Sequence, residues 1–298
     1  MKTATAAIPA PLHAIDECVR HRKSPVDRIT GTYTLPKDEP WLAGHFPGQP
    51  IYPGVFVLES VRQAVERAFE APMLLSRINS VRFHEPLFPG DAMELDGTID
   101  ATDVVGVRGE IRLSEHKMAS FDLVFAPSDT IPVASGRPPT LPASSGRALS
   151  FSEIVAALPH RWPMLLVDAV DELSENSIRT RKLVSATEPW FGRLEGIRPV
   201  FPQSLLLESF GQSAALMWLA HAQERTSPPK TLMLVGARQC QFVGVAEIGE
   251  IVHHEVLLES VIADTAFASG RSFTAKGGIA VYDNLIAVRR PFPRRTLP

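Results

Sequence analysis

The sequence predicts an α+β protein made of two tandem copies of one unit. Three observations predict it. A set of residues recurs at a constant offset of 149 positions. In each copy a proline-bearing loop opens onto a long apolar run with helical character. Short runs with strand character follow each of those helices. The recurring set pairs Glu39-Pro40-Trp41 with Glu188-Pro189-Trp190, Pro50 with Pro199, Pro53 with Pro202, Leu58-Glu59-Ser60 with Leu207-Glu208-Ser209, and Gln63 with Gln212. One offset held over so many positions is the mark of duplication.

The first unit covers residues 1–127. A strand is expected around Asp27 to Leu35, then the Glu39-Pro40-Trp41 turn and the loop His45-Phe46-Pro47-Gly48-Gln49-Pro50-Ile51-Tyr52-Pro53-Gly54. The helix runs from Val55 to Ala71, with Pro53 placed at its start, where a missing N–H costs little. Strands follow at Leu75 to Phe83, Ala92 to Ala101, Val104 to Ser114 and Ala119 to Phe125. Residues 128–147 are rich in Pro, Ser, Gly and Thr without periodicity, the composition of a linker. The second unit, 148–298, opens with an amphipathic helix over Phe151 to Leu158. Its long helix is expected from Leu205 to Ala220. Beyond that helix the register slips, and the extra residues fit the polar loop Gln223 to Lys230.

Composition narrows the function. A formal net charge of −3 argues against nucleic acid as the main partner, which calls for a concentrated basic surface. Cys18 and Cys240 stand far apart with no CxxC spacing, so neither a disulfide framework nor a zinc site is indicated. No leader sequence and no membrane span is read, and a reducing cytoplasm fits. His84, His160, His253 and His254 lack the spacing of a ligand set, and no metal or other cofactor is expected. No Gly-x-Ser-x-Gly elbow occurs, and no phosphate-binding glycine loop.

What remains is acid/base chemistry. His45 stands at the loop's start, and Glu59 and Glu208 lie in otherwise apolar helices, where a carboxylate is costly unless paired or protonated. The N–H groups at the start of a helix, behind Gly54, can hold a developing oxyanion. The copies differ where chemistry would sit: His45 is answered by Leu194 and Gly54 by Gln203, while both keep the glutamate.

At these residues the chain resembles the hot-dog-fold (3R)-hydroxyacyl-acyl-carrier-protein dehydratases of fatty-acid and polyketide synthesis, the FabZ type. His45-Phe46-Pro47-Gly48 through Pro53-Gly54-Val55, with Glu59 and Gln63, is similar to the family's loop and helix. Leu158-Pro159-His160-Arg161-Trp162-Pro163-Met164-Leu165-Leu166-Val167-Asp168 is similar to its N-terminal motif, and Arg82 to Asp91 to the strand after its helix.

The resemblance implies a double hot dog, each unit a long central helix wrapped by an antiparallel sheet. It also implies sites that take a histidine from one unit and a carboxylate from the other. Carried onto this chain, one complete site pairs His45 as base with Glu208 as acid, and the reaction is loss of water from a 3-hydroxyacyl thioester. Gly54 would supply the oxyanion N–H, with Phe46, Pro53 and Gln212 beside the substrate. The reciprocal site, Glu59 with Leu194 and Gln203, would be silent. Leu194 and a hydrogen-bonded Gln203 are expected to fill it, and His160-Arg161 to order the loop beneath the second sheet. The partner implied is an acyl carrier protein or coenzyme A thioester, and Arg20-His21-Arg22-Lys23 and Arg289 to Arg295 are candidate docking clusters. Further homo-oligomerisation stays open. So do two other readings: a hot-dog thioesterase, and a non-catalytic partner of another dehydratase. An isomerase of the FabA type would carry aspartate at Glu59 and Glu208.

Overall fold

The computed structural model describes residues 9–22, 26–133, 146–191, 198–221 and 230–292. In chain order the first half forms β1 (Glu17–His21), β2 (Asp27–Thr34), α1 (Pro40–His45), α2 (Val55–Phe69), β3 (Met73–Phe83), β4 (Ala92–Ala101), β5 (Val105–Leu113) and β6 (His116–Pro127). The second forms β7 (Arg147–Leu149), α3 (Phe151–Ala157), β8 (Ala169–Leu173), β9 (Ser177–Leu183), a 3-10 turn (Pro189–Phe191), α4 (Gln203–His221), β10 (Lys230–Phe242), β11 (Ile251–Ile262), β12 (Thr265–Thr274) and β13 (Gly277–Pro291).

The strands form because their apolar residues alternate. In β4, Met93, Leu95 and Ile99 face inward while Glu94 and Thr98 face out, the period of two that a half-buried strand requires. α2 is buried on every side from Val55 to Val65 and ends two residues before the expected Ala71. Glu70 turns left-handed there (φ 52°), and its N–H closes on the Glu66 carbonyl, a C-cap that stops the helix. The Glu39-Pro40-Trp41 turn is the start of α1, with Pro40 in the first helical turn.

All thirteen strands join one antiparallel sheet in the order β1-β2-β4-β5-β6-β3-β10-β13-β12-β11-β9-β8-β7. The halves meet at β3 and β10, with Val81 opposite Ala237 and Ile78 opposite Cys240. α2 packs on β1, β2 and β3, α4 on β9, β10 and β11, and the two helices lie against each other. This is the double hot dog. Fully buried residues such as Leu207 and Phe56 fill the space between helices and sheet, each aliphatic one stabilising by roughly 1.5–3 kcal/mol.

Residues 149 apart meet or do the same job. Trp41 and Trp190 stack on each other, ring centroids 5.5 Å apart. Gln63 accepts from Ala14 N–H and donates to Leu12 O; Gln212 accepts from Leu166 N–H and donates to Met164 O. Each glutamine thus ties its helix to the N-terminal segment of its own unit.

The start of the expected linker belongs to the folded body. Ile131 is buried with Leu74, Ala126, Val200 and Val245, and Arg198 donates to the carbonyls of Ser128 and Ile131. An apolar Ile131 has surface to bury, which the proline and serine content around it obscured. Residues 134–145 lie outside the described ones. Among the described residues no helix is long and apolar enough to cross a membrane.

Candidate active site

His45 is the last residue of α1, and α1 is docked onto the second half. Arg161 N–H donates to Gly44 O at 2.7 Å, and a Cβ on Gly44 would stand 2.6 Å from Arg161 O and 2.8 Å from Trp162 O. Only glycine allows that approach. The His45 ring is 8% exposed, and its Nδ1 is 3.0 Å from Ile51 O. A carbonyl can only accept, so the proton sits on Nδ1 and Nε2 keeps its lone pair. Burial pushes the imidazole down to about 4, partly opposed by the Ile51 bond, and the ring is neutral near pH 7.

Glu208 lies in the second turn of α4, equally buried. Its Oε1 accepts from Gln212 Nε2 at 2.9 Å. Since Gln212 is itself pinned to Leu166 and Met164, the carboxyl is held by a group that cannot swing away. Burial raises the Glu208 carboxyl above its ordinary range, against the Gln212 hydrogen bond, which favours the charged form.

Between them stands His160, its Nε2 3.4 Å from Glu208 Oε1 and its ring centroid 5.3 Å from that of His45. Its Nδ1 is buried and has no partner among the described residues. The sequence reading gave His160-Arg161 a purely structural task beneath the sheet, and half of that stands. Arg161 does order the loop, donating to Leu158 O and His160 O. His160 instead enters the cavity, because the Gly44 contact draws its segment against α1.

His45, Phe46, Gly54, His160, Glu208 and Gln212 line one cavity. Gly54 and Val55 bring to it the opening of α2, where the N–H groups of Phe56 and Val57 are already taken by the Pro53 and Gly54 carbonyls. Phe46 packs edge-on against the His45 ring at 4.6 Å. Pro53 is not among the lining residues; its carbonyl accepts from Phe56 N–H in the turn that starts α2. Sequence spacing offered no ligand set, yet donor atoms of His45, His160 and Glu208 all lie within 4.8 Å of one another. Three separate segments supply them, so no local motif could show it, and the trio has the donor types that hold a divalent ion.

Known proteins resolve the family. A model of the ApeI dehydratase matches residues 21–121 and one of the ApeP dehydratase residues 152–276. The 3-hydroxyacyl-(acyl-carrier-protein) dehydratase FabZ of Burkholderia cenocepacia (strain HI2424) is 37% identical over 115 residues, 38% of this chain and 74% of that protein. The chain belongs to the FabZ dehydratase family. This dehydratase, a hydro-lyase, is also similar in fold to the dehydratase domain of RzxB from Pseudomonas fluorescens (TM-score 0.66, 14% identity, covering 96% of this chain and 100% of that one). The dehydratase domain from the CurJ module of curacin polyketide synthase is comparable (TM-score 0.63, 12% identity, 94% and 97%).

In the reciprocal region of the dehydratase, Glu59 is held by polar partners. Glu59 accepts from Ser204 Oγ at 2.6 Å, at the start of α4, and from Arg62 Nε at 2.9 Å. Arg62 Nη1 reaches Glu66 Oε1 at 2.5 Å and Met73 O at 3.3 Å. Each glutamate therefore faces the beginning of the other unit's helix. The residue 149 positions after Arg62 is Gly211, and the one after Glu66 is Ala215; both line the cavity around Glu208. An ionic triad of Glu59, Arg62 and Glu66 occupies the first unit's equivalent of that wall, and it gives the buried Glu59 a partner. Gln203 is buried at the first position of α4, but among the described residues its Nε2 has no acceptor, against the expectation of a bonded amide. Leu194 lies outside the described residues. The 149-residue offset carries the Arg62/Gly211 and Glu66/Ala215 differences in plain view; their weight depends on burial, which the sequence does not display.

Proposed function

We propose that this dehydratase removes water from (3R)-3-hydroxyacyl thioesters carried on an acyl carrier protein, giving trans-2-enoyl thioesters at one site per chain. The observation that carries the reading is the Nδ1–H bond from His45 to Ile51 O, which leaves Nε2 free as a base in the same cavity as a buried Glu208. His45 Nε2 takes the proton from C2. The thioester oxygen gains enolate charge and is met by the N–H groups at Gly54, a donor whose loss typically costs on the order of a hundredfold in rate. Glu208 gives its proton to the 3-hydroxyl, the C3–O bond breaks, the C2=C3 bond forms and water departs. Net proton return from His45 to Glu208 restores the starting state. The raised carboxyl supports Glu208 as the acid and the lowered imidazole supports His45 as the base.

The same reading assigns the repeats to 1–127 and 148–298 and gives the carrier protein the basic C-terminal stretch, where Arg290 reaches the cavity lining. Intact-mass analysis of carrier protein loaded with a 3-hydroxyacyl chain tests it: loss of one water without release of free thiol is expected. Free thiol without the enoyl product would overturn it in favour of thioester hydrolysis. His45→Ala and Glu208→Gln should each reduce turnover by at least a hundredfold.

A further inference from the structure

Gly211 stands in the middle of α4, where glycine is among the poorest helix formers. No part of the protein asks for it. Its backbone is not left-handed, and a Cβ there would meet only Leu285 Cδ2, at an ordinary 3.9 Å. What lies over Gly211 is the cavity. Ala214 and Ala215 continue the bare strip along α4, and the facing strands present Ala266, Ala268 and Ala287. Farther on the cavity reaches Trp218. From Glu208 to Trp218 the helix rises about 15 Å. The equivalent wall of the first unit carries Arg62 and Glu66, long side chains paired with each other and with Glu59 where α4 has Gly211 and Ala215.

We propose that Gly211 sets the bore of an acyl channel and that the enzyme's preferred substrates carry long, linear, apolar acyl chains that pass Gly211 toward Trp218. This rests on the dehydratase reading above and adds the substrate class. With C2 at His45 and C3 at Glu208, the carbons beyond C3 have the small-residue strip as their wall. A short chain ends before Gly211 and leaves the strip unfilled. A long chain buries its methylenes against it, each gaining roughly 0.8 kcal/mol on leaving water, and so gains kcat/KM. A branched or strongly polar tail would meet alanines and no hydrogen-bonding group among the strip residues named.

The test compares 3-hydroxybutyryl and 3-hydroxydodecanoyl thioesters on one carrier protein, with the wild type, Gly211→Ala and Gly211→Leu. The wild type should turn over the dodecanoyl substrate at least tenfold more efficiently in kcat/KM. Gly211→Leu should erase that preference, cutting dodecanoyl kcat/KM at least tenfold more than butyryl kcat/KM. Thermal midpoints of both variants should equal or exceed the wild type's, because a better helix former replaces glycine in open space. Equal losses on both substrates, or none on either, would overturn the proposal, as would a wild type that prefers butyryl. A wild type that dehydrates neither substrate would instead strike at the dehydratase reading itself. If Gly211→Leu were unstable, Gly211→Ala would still decide, since a single methyl should lower dodecanoyl efficiency by more than butyryl efficiency.

Discussion

Replacing Arg62 by methionine tests whether the first unit's glutamate is held by an ion pair. The guanidinium is 4% exposed and serves Glu59, 3% exposed, and Glu66, 23% exposed. Removing it leaves two carboxylates, two turns apart on one helix face, without the cation between them. Breaking a buried pair in this way costs about 3–5 kcal/mol. Glu66 keeps some water, so the lower end applies, and a loss of about 3 kcal/mol corresponds to a thermal midpoint lower by roughly 5 °C in a chain this long. Urea unfolding with the dehydratase assay run below the transition is the measurement, and turnover per folded molecule should not change. The triple variant Glu59→Leu, Arg62→Met, Glu66→Leu should recover most of the loss. Charges replaced together by packed apolar groups are close to neutral, and Ser204 Oγ and Met73 N–H would each forfeit a partner worth about 1 kcal/mol. An Arg62→Met loss under about 1 kcal/mol, or a triple variant less stable than the single, would refute the triad.

Glu59→Gln should retain most dehydratase activity while Glu208→Gln loses it; equal damage at unchanged stability would show that the units were assigned the wrong way round. Gly44→Ala should lower both stability, by about 1–3 kcal/mol, and turnover, because its methyl would press on the Arg161 and Trp162 carbonyls and move His160 off the cavity; a fully active variant would remove Gly44 from the account. For pH, His45 at about 4 and His254 at about 3, with His160 also lowered, stay neutral when folded but take up protons near 6.5 when unfolded. Stability is therefore complete above about pH 6.5 and drains away as pH falls toward 4. Glu208, raised when folded, works the opposite way just above its ordinary value. Thermal midpoints between pH 7 and 4 check this, and kcat/KM should hold its acid limb down to about 4, where His45 charges. Micromolar zinc should inhibit by joining His45, His160 and Glu208, and EDTA should restore the rate without lowering that of enzyme never exposed to zinc.

Much of the architecture was legible because duplication supplies its own alignment. Strand β4 was bounded to the residue by its alternation, and both helices to within two residues by their apolar runs, since period and burial act locally. The pairing of His45 with Glu208 came from the resemblance; spacing could not give it, because each residue comes from a different half. His160 was hidden for the same reason. Its motif is readable, but that it enters the cavity depends on Gly44 meeting Arg161 across more than a hundred residues of chain. The Arg62 triad depends on helix spacing of three and four residues, which the sequence displays, and on burial, which it does not.

The β3–β10 seam has a consequence for how the enzyme behaves on dilution. His45 and Glu208 approach each other across a boundary that two separate hot dogs would have to form by colliding, with a concentration-dependent population of complete sites. Here one polypeptide holds both sides, so partner encounter is intramolecular, at an effective concentration that a short tether sets near the millimolar range. Specific activity should therefore be flat from micromolar to nanomolar enzyme. The halves also become free to diverge, since neither needs to recognise a second copy of itself.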